Sequence, residues 1–147
     1  MTSKNTNIRT KDKQAFIVMG EPKGKGRPRF CKSGHAYTPK ATRDYESEIR
    51  AAYLTQYKGR GFGKGVPLSL LIYAVYGVPK SDRKATRKKK LAGAILPTKK
   101  PDVDNIIKIV ADALNGLAYH DDSQLVEVHC VKAYGETPHI SVFIREV

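Results

Sequence analysis

Residues 102–122, DVDNIIKIVADALNGLAYHDD, constrain the fold of this chain more tightly than any other segment. Pro101 ahead of them has a fixed φ and biases Lys100 towards extended geometry. Asp102 is then a natural N-cap, with Val103, Asp104 and Asn105 in the first helical turn. Val103, Ile106, Ile107, Val110, Leu114 and Leu117 recur at helical spacing and predict the buried stripe. Asp104, Lys108 and Asp112 follow the opposite flank, and Asn115-Gly116 ends the helix. Only Leu117–His120 remain to turn the chain before Asp121-Asp122 and a final pair of strands.

The other elements follow from periodicity and turn chemistry. Gln14–Gly20 reads as a strand, and Gly20–Phe30 (GEPKGKGRPRF) as a Gly/Pro-rich basic loop. Arg29–Cys31 and His35–Tyr37 pair as a short hairpin. Thr38 as N-cap and Pro39 at the first helical position start a helix, with Ala41, Tyr45, Ile49, Ala52 and Tyr53 at helical spacing. Tyr57–Pro67 is a glycine-rich loop, and Leu68–Tyr76, apolar on both faces, is a central strand. Ser81 caps a basic helix over 82–92 that Gly93 ends. Leu125–Ala133 and His139–Arg145 alternate and are joined by Tyr134–Pro138 as an antiparallel hairpin. The expectation is a disordered lead over 1–13 and one α+β domain over 14–147. That domain has a small mixed β-sheet, packed helices and a C-terminal β-hairpin.

Charge narrows the function classes. Residues 1–100 carry 24 Lys/Arg against 6 Asp/Glu, a net +18, whereas residues 101–147 carry 3 against 8, a net −5. Such an excess favours a polyanionic partner, because each neutralised phosphate releases counterions. No apolar run is long enough to cross a bilayer, and the N-terminus lacks a signal peptide's apolar stretch, so a cytoplasmic protein is expected. Cys31 and Cys130 fit neither a zinc knuckle nor a disulfide framework and read as buried free thiols. His35, His120, His129 and His139 form no zinc-enzyme pattern.

An acid cluster within a cationic protein suggests a divalent-metal site acting on a polyanion. Asp102 and Asp104 can share a face if Asp102 lies outside the helix proper. Lys108 lies one turn beyond Asp104, and the turn after the helix delivers Asp121-Asp122 back towards the sheet to meet the first pair. Magnesium or manganese takes oxygen ligands and can activate water at a phosphate. A nearby lysine stabilises the charge that develops there. Each acid also has an ordinary structural reading, as a helix cap or a turn residue. Lys23, Lys25, Arg27 and Arg29 in the first loop, and Lys58, Arg60 and Lys64 in the second, are candidate DNA contacts. Phe30 and Tyr37 read as core residues rather than as wedges at a junction. Lys88–Lys90 suit a phosphate contact or a solvated helix face equally.

The run KKPDVDNIIKIVADALNG followed by HDDSQL resembles the RusA family of Holliday-junction resolvases, common on prophages. GEPKGKGRPRF and Tyr37-Thr38-Pro39 extend the resemblance weakly towards the N-terminus. It implies a homodimeric, magnesium-dependent endonuclease that nicks two opposing strands of a four-way DNA junction symmetrically, in recombination and repair. By that resemblance the catalytic acids are Asp102, Asp104 and Asp122, Asp121 is a further possible metal ligand, and the essential lysine is Lys108. The rival readings are a noncatalytic nucleic-acid-binding module and a nuclease without junction preference.

Overall fold

The computed structural model describes residues 12–147, so the expected N-terminal lead lies outside the described residues apart from Asp12 and Lys13. β4 (Leu68–Gly77) organises the fold. Its side chains alternate as a strand requires, and Leu68, Leu70, Ile72, Ala74 and Tyr76 are all buried. β4 lies inside a four-stranded sheet of order β1-β6-β4-β5, with β1 at Lys13–Met19, β5 at Leu125–Gly135 and β6 at His139–Glu146. β5 runs parallel to it, from Leu68↔Leu125 to Gly77↔Gly135. β6 runs antiparallel, from Leu68↔Glu146 to Val75↔His139, and β1 pairs with the outer edge of β6.

The architecture is therefore the expected α+β domain with a mixed sheet. The C-terminal pair of strands takes a split form. β5 and β6 run antiparallel and are joined by a short turn, with β4 inserted between them and hydrogen-bonded to both. A strand as apolar as β4 gains most when both of its edges are paired. The turn has only to step over one strand, about 10 Å.

α1 (Lys40–Tyr57) and α3 (Val103–Leu114) cover one face of the sheet and close the core. α1 starts one turn-residue later than the Thr38 cap predicts. Pro39 takes the cap position without a side-chain bond, and its carbonyl accepts from Arg43 N. Ala41 is exposed and Thr42 is buried instead, its hydroxyl accepting from the Gly26 amide at 3.0 Å. On α3 the buried face is Ile106, Ile109, Val110, Ala111, Ala113 and Leu114, while Val103 stays 43 % exposed. The stripe is rotated towards α1, which packs on that flank and whose Arg50 Nε donates to the Ala113 carbonyl at 3.0 Å. α2 (Lys84–Leu91) is shorter than expected, because Ser81 makes no cap and Asp82 instead takes Lys90 at 2.6 Å.

Two further expectations are corrected. The hairpin forms as predicted, with β2 (Arg29–Phe30) paired to β3 (Ala36–Tyr37), but as a separate two-stranded unit. Phe30 is consequently 74 % exposed, and Tyr37 is exposed beside it, so neither belongs to the core. The thiols are free, yet Cys31 is exposed on this hairpin and Cys130 is only half-buried on β5. The sheet face away from the helices is uncovered and displays Ile17, Met19, Tyr73, Val131 and Phe143. Among the described residues no helix is long and apolar enough to cross a membrane.

Candidate active site

α3 fixes where the acids lie. Asp102 occupies its N-cap with an extended backbone (φ −72°, ψ 154°), and its carbonyl accepts from Ile106 N at 3.1 Å. Its carboxylate makes no capping bond, so the side chain is not consumed by the job that its position suggests. Asp104 and Lys108 follow on the exposed side of the helix. Asp102, Asp104, Lys108 and Asp122 form no ion pair among the described residues. Four charged groups left to solvent on a well-ordered frame are available to a ligand.

A basic loop is docked against this end of α3. The Lys25 amide donates to the Asn105 carbonyl at 2.9 Å. A Cβ on Gly24 would lie 2.8 Å from Pro101 Cβ and 2.9 Å from Asn105 Cβ, so only glycine permits the approach. The result is an open cavity of about 720 Å³ lined by Lys23, Arg27, Lys100, Asp102 and Asn105 among others. It mixes cationic donors with a carboxylate, as a site for a phosphate and a cation requires. Arg29 lies one step further out, in an adjoining groove that Lys23 and Arg27 also line.

Lys25 departs from its expected role. Its ammonium turns inwards and bridges Glu46 Oε1 at 2.5 Å and Asp112 Oδ2 at 3.1 Å, with only 19 % of the side chain exposed. Burial alone would lower its pKa, but the two carboxylates outweigh that and hold it above the usual lysine value. Lys25 therefore ties the loop to α1 and α3 rather than presenting a charge to DNA.

The second acidic doublet lies at the other end. α3 has twelve residues, a rise of about 18 Å. Pro101 accepts a hydrogen bond from Tyr76 at the C-terminal end of β4, whereas Asp121–Gln124 leads into Leu125, which pairs with Leu68 at the N-terminal end. Asp102 and Asp122 are thus on the order of 20 Å apart in one chain. The expected return of the doublet to the first pair does not occur within a subunit, because α3 runs antiparallel to β4 and the four-residue turn cannot retrace it. In line with this, no three His, Cys, Asp or Glu side chains form a metal-holding group among the described residues. The free carboxylates suit a hard divalent ion by donor chemistry, but each end brings fewer than three.

The doublet has its own basic loop. Phe62 N donates to the Ala118 carbonyl at 2.7 Å, and a Cβ on Gly61 would lie 2.5 Å from the Leu117 carbonyl oxygen. Gln124, buried, uses its whole amide: Nε2 donates to the Gly63 and Val66 carbonyls at 2.9 and 3.1 Å. Its Oε1 accepts from His120 N and Asp121 N at 3.0 and 3.2 Å. The loop bearing Lys58, Arg60 and Lys64 is thereby clamped beside the acids. Asp121 accepts from the Ser123 hydroxyl, which draws its pKa below the ordinary carboxylate value. Asp122 is exposed and uncommitted. Within the doublet, then, Asp121 shapes the turn, and both carboxylates are exposed.

Sequence reasoning missed Gln124 as a clamp and Asn105 and Lys100 as cavity walls. The Gln was visible within HDDSQL, but nothing in a linear pattern shows which carbonyls a buried amide will reach.

Comparison with known proteins gives these residues their context. The family model described as Endodeoxyribonuclease RusA matches residues 19–145, which includes both acidic segments and both basic loops. The chain belongs to the RusA endodeoxyribonuclease family. Among RusA-like relatives, it is 30 % identical over 129 residues to the crossover junction endodeoxyribonuclease rusA of Lactococcus phage r1t, covering 87 % of this chain and 86 % of that protein. It is 41 % identical over 137 residues to the uncharacterized protein YqaN of Bacillus subtilis (strain 168), covering 90 % of this chain and 95 % of that one.

Proposed function

We propose that this RusA-family enzyme is a homodimeric, metal-dependent endonuclease that resolves four-way DNA junctions by paired symmetric nicks, acting in recombination and repair in the cytoplasm. One observation carries the reading. Each end of α3 bears uncommitted carboxylate beside a clamped basic loop, and neither end alone has enough ligands. A second copy running in the opposite direction brings its Asp122 to the Asp102–Asp104 end, and by symmetry completes two equivalent sites. Two sites related by a two-fold axis suit a substrate with two symmetric scissile strands. The name of the Lactococcus phage r1t relative supports the junction as substrate.

Asp102, Asp104 and Asp122 of the second copy would hold magnesium, with manganese as a substitute, and Asp121 stands by as the neighbouring carboxylate. Such an ion, when bound, neutralises phosphate charge and makes water more acidic. Lys108, one turn from Asp104, stabilises negative charge developing on the phosphate. Lys23, Arg27 and Lys100 hold the backbone in the cavity, while Arg29, Lys58, Arg60 and Lys64 steer the flanking duplex.

Mixing two inactive variants tests the reading. Asp102→Asn and Asp122→Asn chains, each inert alone, are mixed so that hetero-dimers form, and a synthetic four-way junction is supplied with magnesium or manganese. Sites shared between subunits regain one intact ligand set per hetero-dimer, so single-strand nicking returns. No recovery in dimers shown to be mixed would sink the shared-site reading. A wild-type protein inert on junctions with either ion would sink the resolvase assignment itself.

A further inference from the structure

Residues 80–100 hold nine Lys/Arg against one acid, Asp82, a net +8 of the chain's +13. Their one ion pair among the described residues joins Lys90 to Asp82. α2 lies within this stretch and buries none of its residues, so apolar packing does not explain why it is held where it is. Through Lys90 it joins a set of cations and rings at the end of the sheet. Lys90 Nζ lies 4.7 Å from the centre of the Tyr134 ring. Lys99 Nζ sits 5.8 Å from that ring and 5.6 Å from Tyr76, and Lys132 Nζ sits 5.3 Å from Tyr76. Three ammonium groups thus share two aromatic faces.

The solvent side of α2 presents Lys84, Lys88 and Lys89, all exposed. Lys84 and Lys88 are one turn apart, as are Arg83 and Arg87, and like charges at that spacing disfavour the helix. Only the lysines of the last turn are offset by the helix dipole. Such a segment is mildly frustrated on its own and is relieved by a polyanion. It also adjoins the acids, since Tyr76 donates to the Pro101 carbonyl at 2.9 Å and Lys100 lines the Asp102 cavity.

We propose that α2, together with the Tyr76–Tyr134 cation stack, is a phosphate-binding ledge that grips the backbone of a duplex DNA arm leaving the Asp102 end of α3. The ligand class is the double-helical backbone, read without base contacts. The inference rests on the nuclease reading for its location, because the ledge is assigned to an arm of the same substrate.

The test is the triple variant K84Q/K88Q/K89Q, compared with wild type and with K84R/K88R/K89R. Binding to a four-way junction and to a linear duplex is measured without metal over roughly 50–200 mM salt. If the ledge grips phosphates, the plot of log affinity against log salt becomes shallower by about 0.9 per lost contact, up to about 2.7 for three. The Gln variant then binds both DNAs roughly tenfold or more weakly at ~100 mM salt, in keeping with counterion release. The Arg variant keeps the wild-type slope and affinity. Unchanged slope and affinity in a folded Gln variant would overturn the ledge. A wild-type protein that binds but cuts no junction would count against the nuclease reading alone, since the salt slopes need no cleavage.

Discussion

Tyr76 and Pro101 join the two halves of the molecule that matter most: the Tyr76 hydroxyl, at the end of the central strand, donates to the Pro101 carbonyl at 2.9 Å. That bond fixes the entry to α3, and with it the direction in which Asp102 leaves the chain. Tyr76→Phe removes the donor and strands a carbonyl, costing about 1–2 kcal/mol. In a domain of this size that is a fall in Tm of roughly 3–6 °C. Burial pushes the hydroxyl up to about 12 from the ordinary value of 10. Burying the neutral phenol is therefore compatible with full stability below pH 10, and stability is lost as pH rises from there through about 12. Thermal melts of wild type and Tyr76→Phe at neutral pH give the difference directly. Equal Tm values would remove Tyr76 from the positioning of the site.

Asp102→Asn separates the ligand role from the capping role. The carboxylate makes no cap bond, so the metal-free protein should change by no more than about 0.5 kcal/mol, against about 1 kcal/mol for the loss of a working N-cap. Cleavage should be abolished while junction binding is retained, because affinity resides in the phosphate contacts. Asp104→Asn and Lys108→Ala are expected to behave alike. A Tm drop of several degrees with intact cutting would return Asp102 to an ordinary cap.

Lys25→Met leaves Glu46 and Asp112 facing each other across α1 and α3. The partners are only partly buried, which scales the cost down from that of a deep pair to about 1–2 kcal/mol. Because the carboxylates hold the Lys25 pKa above 10.5, this contribution is present below pH 10.5 and fades as pH rises beyond it. DNA affinity should fall through loosening of the Pro22–Arg29 loop, with little change in the salt slope. A slope shallower by about one would instead mark Lys25 as a direct phosphate contact.

Much of this was legible in the sequence because local rules and burial agree there. β4 announces itself through unbroken apolar character, and α3 through Pro101, its period and Asn115-Gly116. The choice of Asp122 over Asp121 comes from the family resemblance, since alternation separates two neighbouring acids without saying which one faces the site, and the doublet lies in a turn rather than a strand. What periodicity does not encode is the partner of each element. The rotation of α3 towards Ile109 depends on α1, and the insertion of β4 between β5 and β6 depends on the whole sheet. The separation of Asp102 from Asp122 is of the same kind: it follows from α3 running antiparallel to β4, which no spacing along the chain reports. Lys25 and Phe30 show the converse. Residue type suggested a surface cation and a core ring, and the loop's docking against Asn105 drew the first inside while the detached hairpin left the second outside.

Gln124 offers the sharpest check on how the second acidic end is built. Its amide donates to two carbonyls of the glycine loop and accepts from two amides at the doublet, so both ends of the side chain are needed. Gln124→Ala strands these buried groups and should cost about 1–3 kcal/mol, with a matching loss of loop order. Gln124→Glu keeps the acceptor and the shape but sets a carboxylate against the Gly63 and Val66 carbonyls. That group will resist ionisation, so its pKa is raised above the free value. The Glu variant should approach wild-type stability at pH near 4 and lose ground as pH climbs through the raised pKa, whereas the Ala variant shows no such recovery. Melts across pH 4–8, read beside single-turnover cleavage at neutral pH, distinguish a clamp from a bystander. In the clamp both variants cut slowly while wild-type affinity for the junction largely persists. Normal cleavage by Gln124→Ala would mean that Asp122 finds its position without help from the loop.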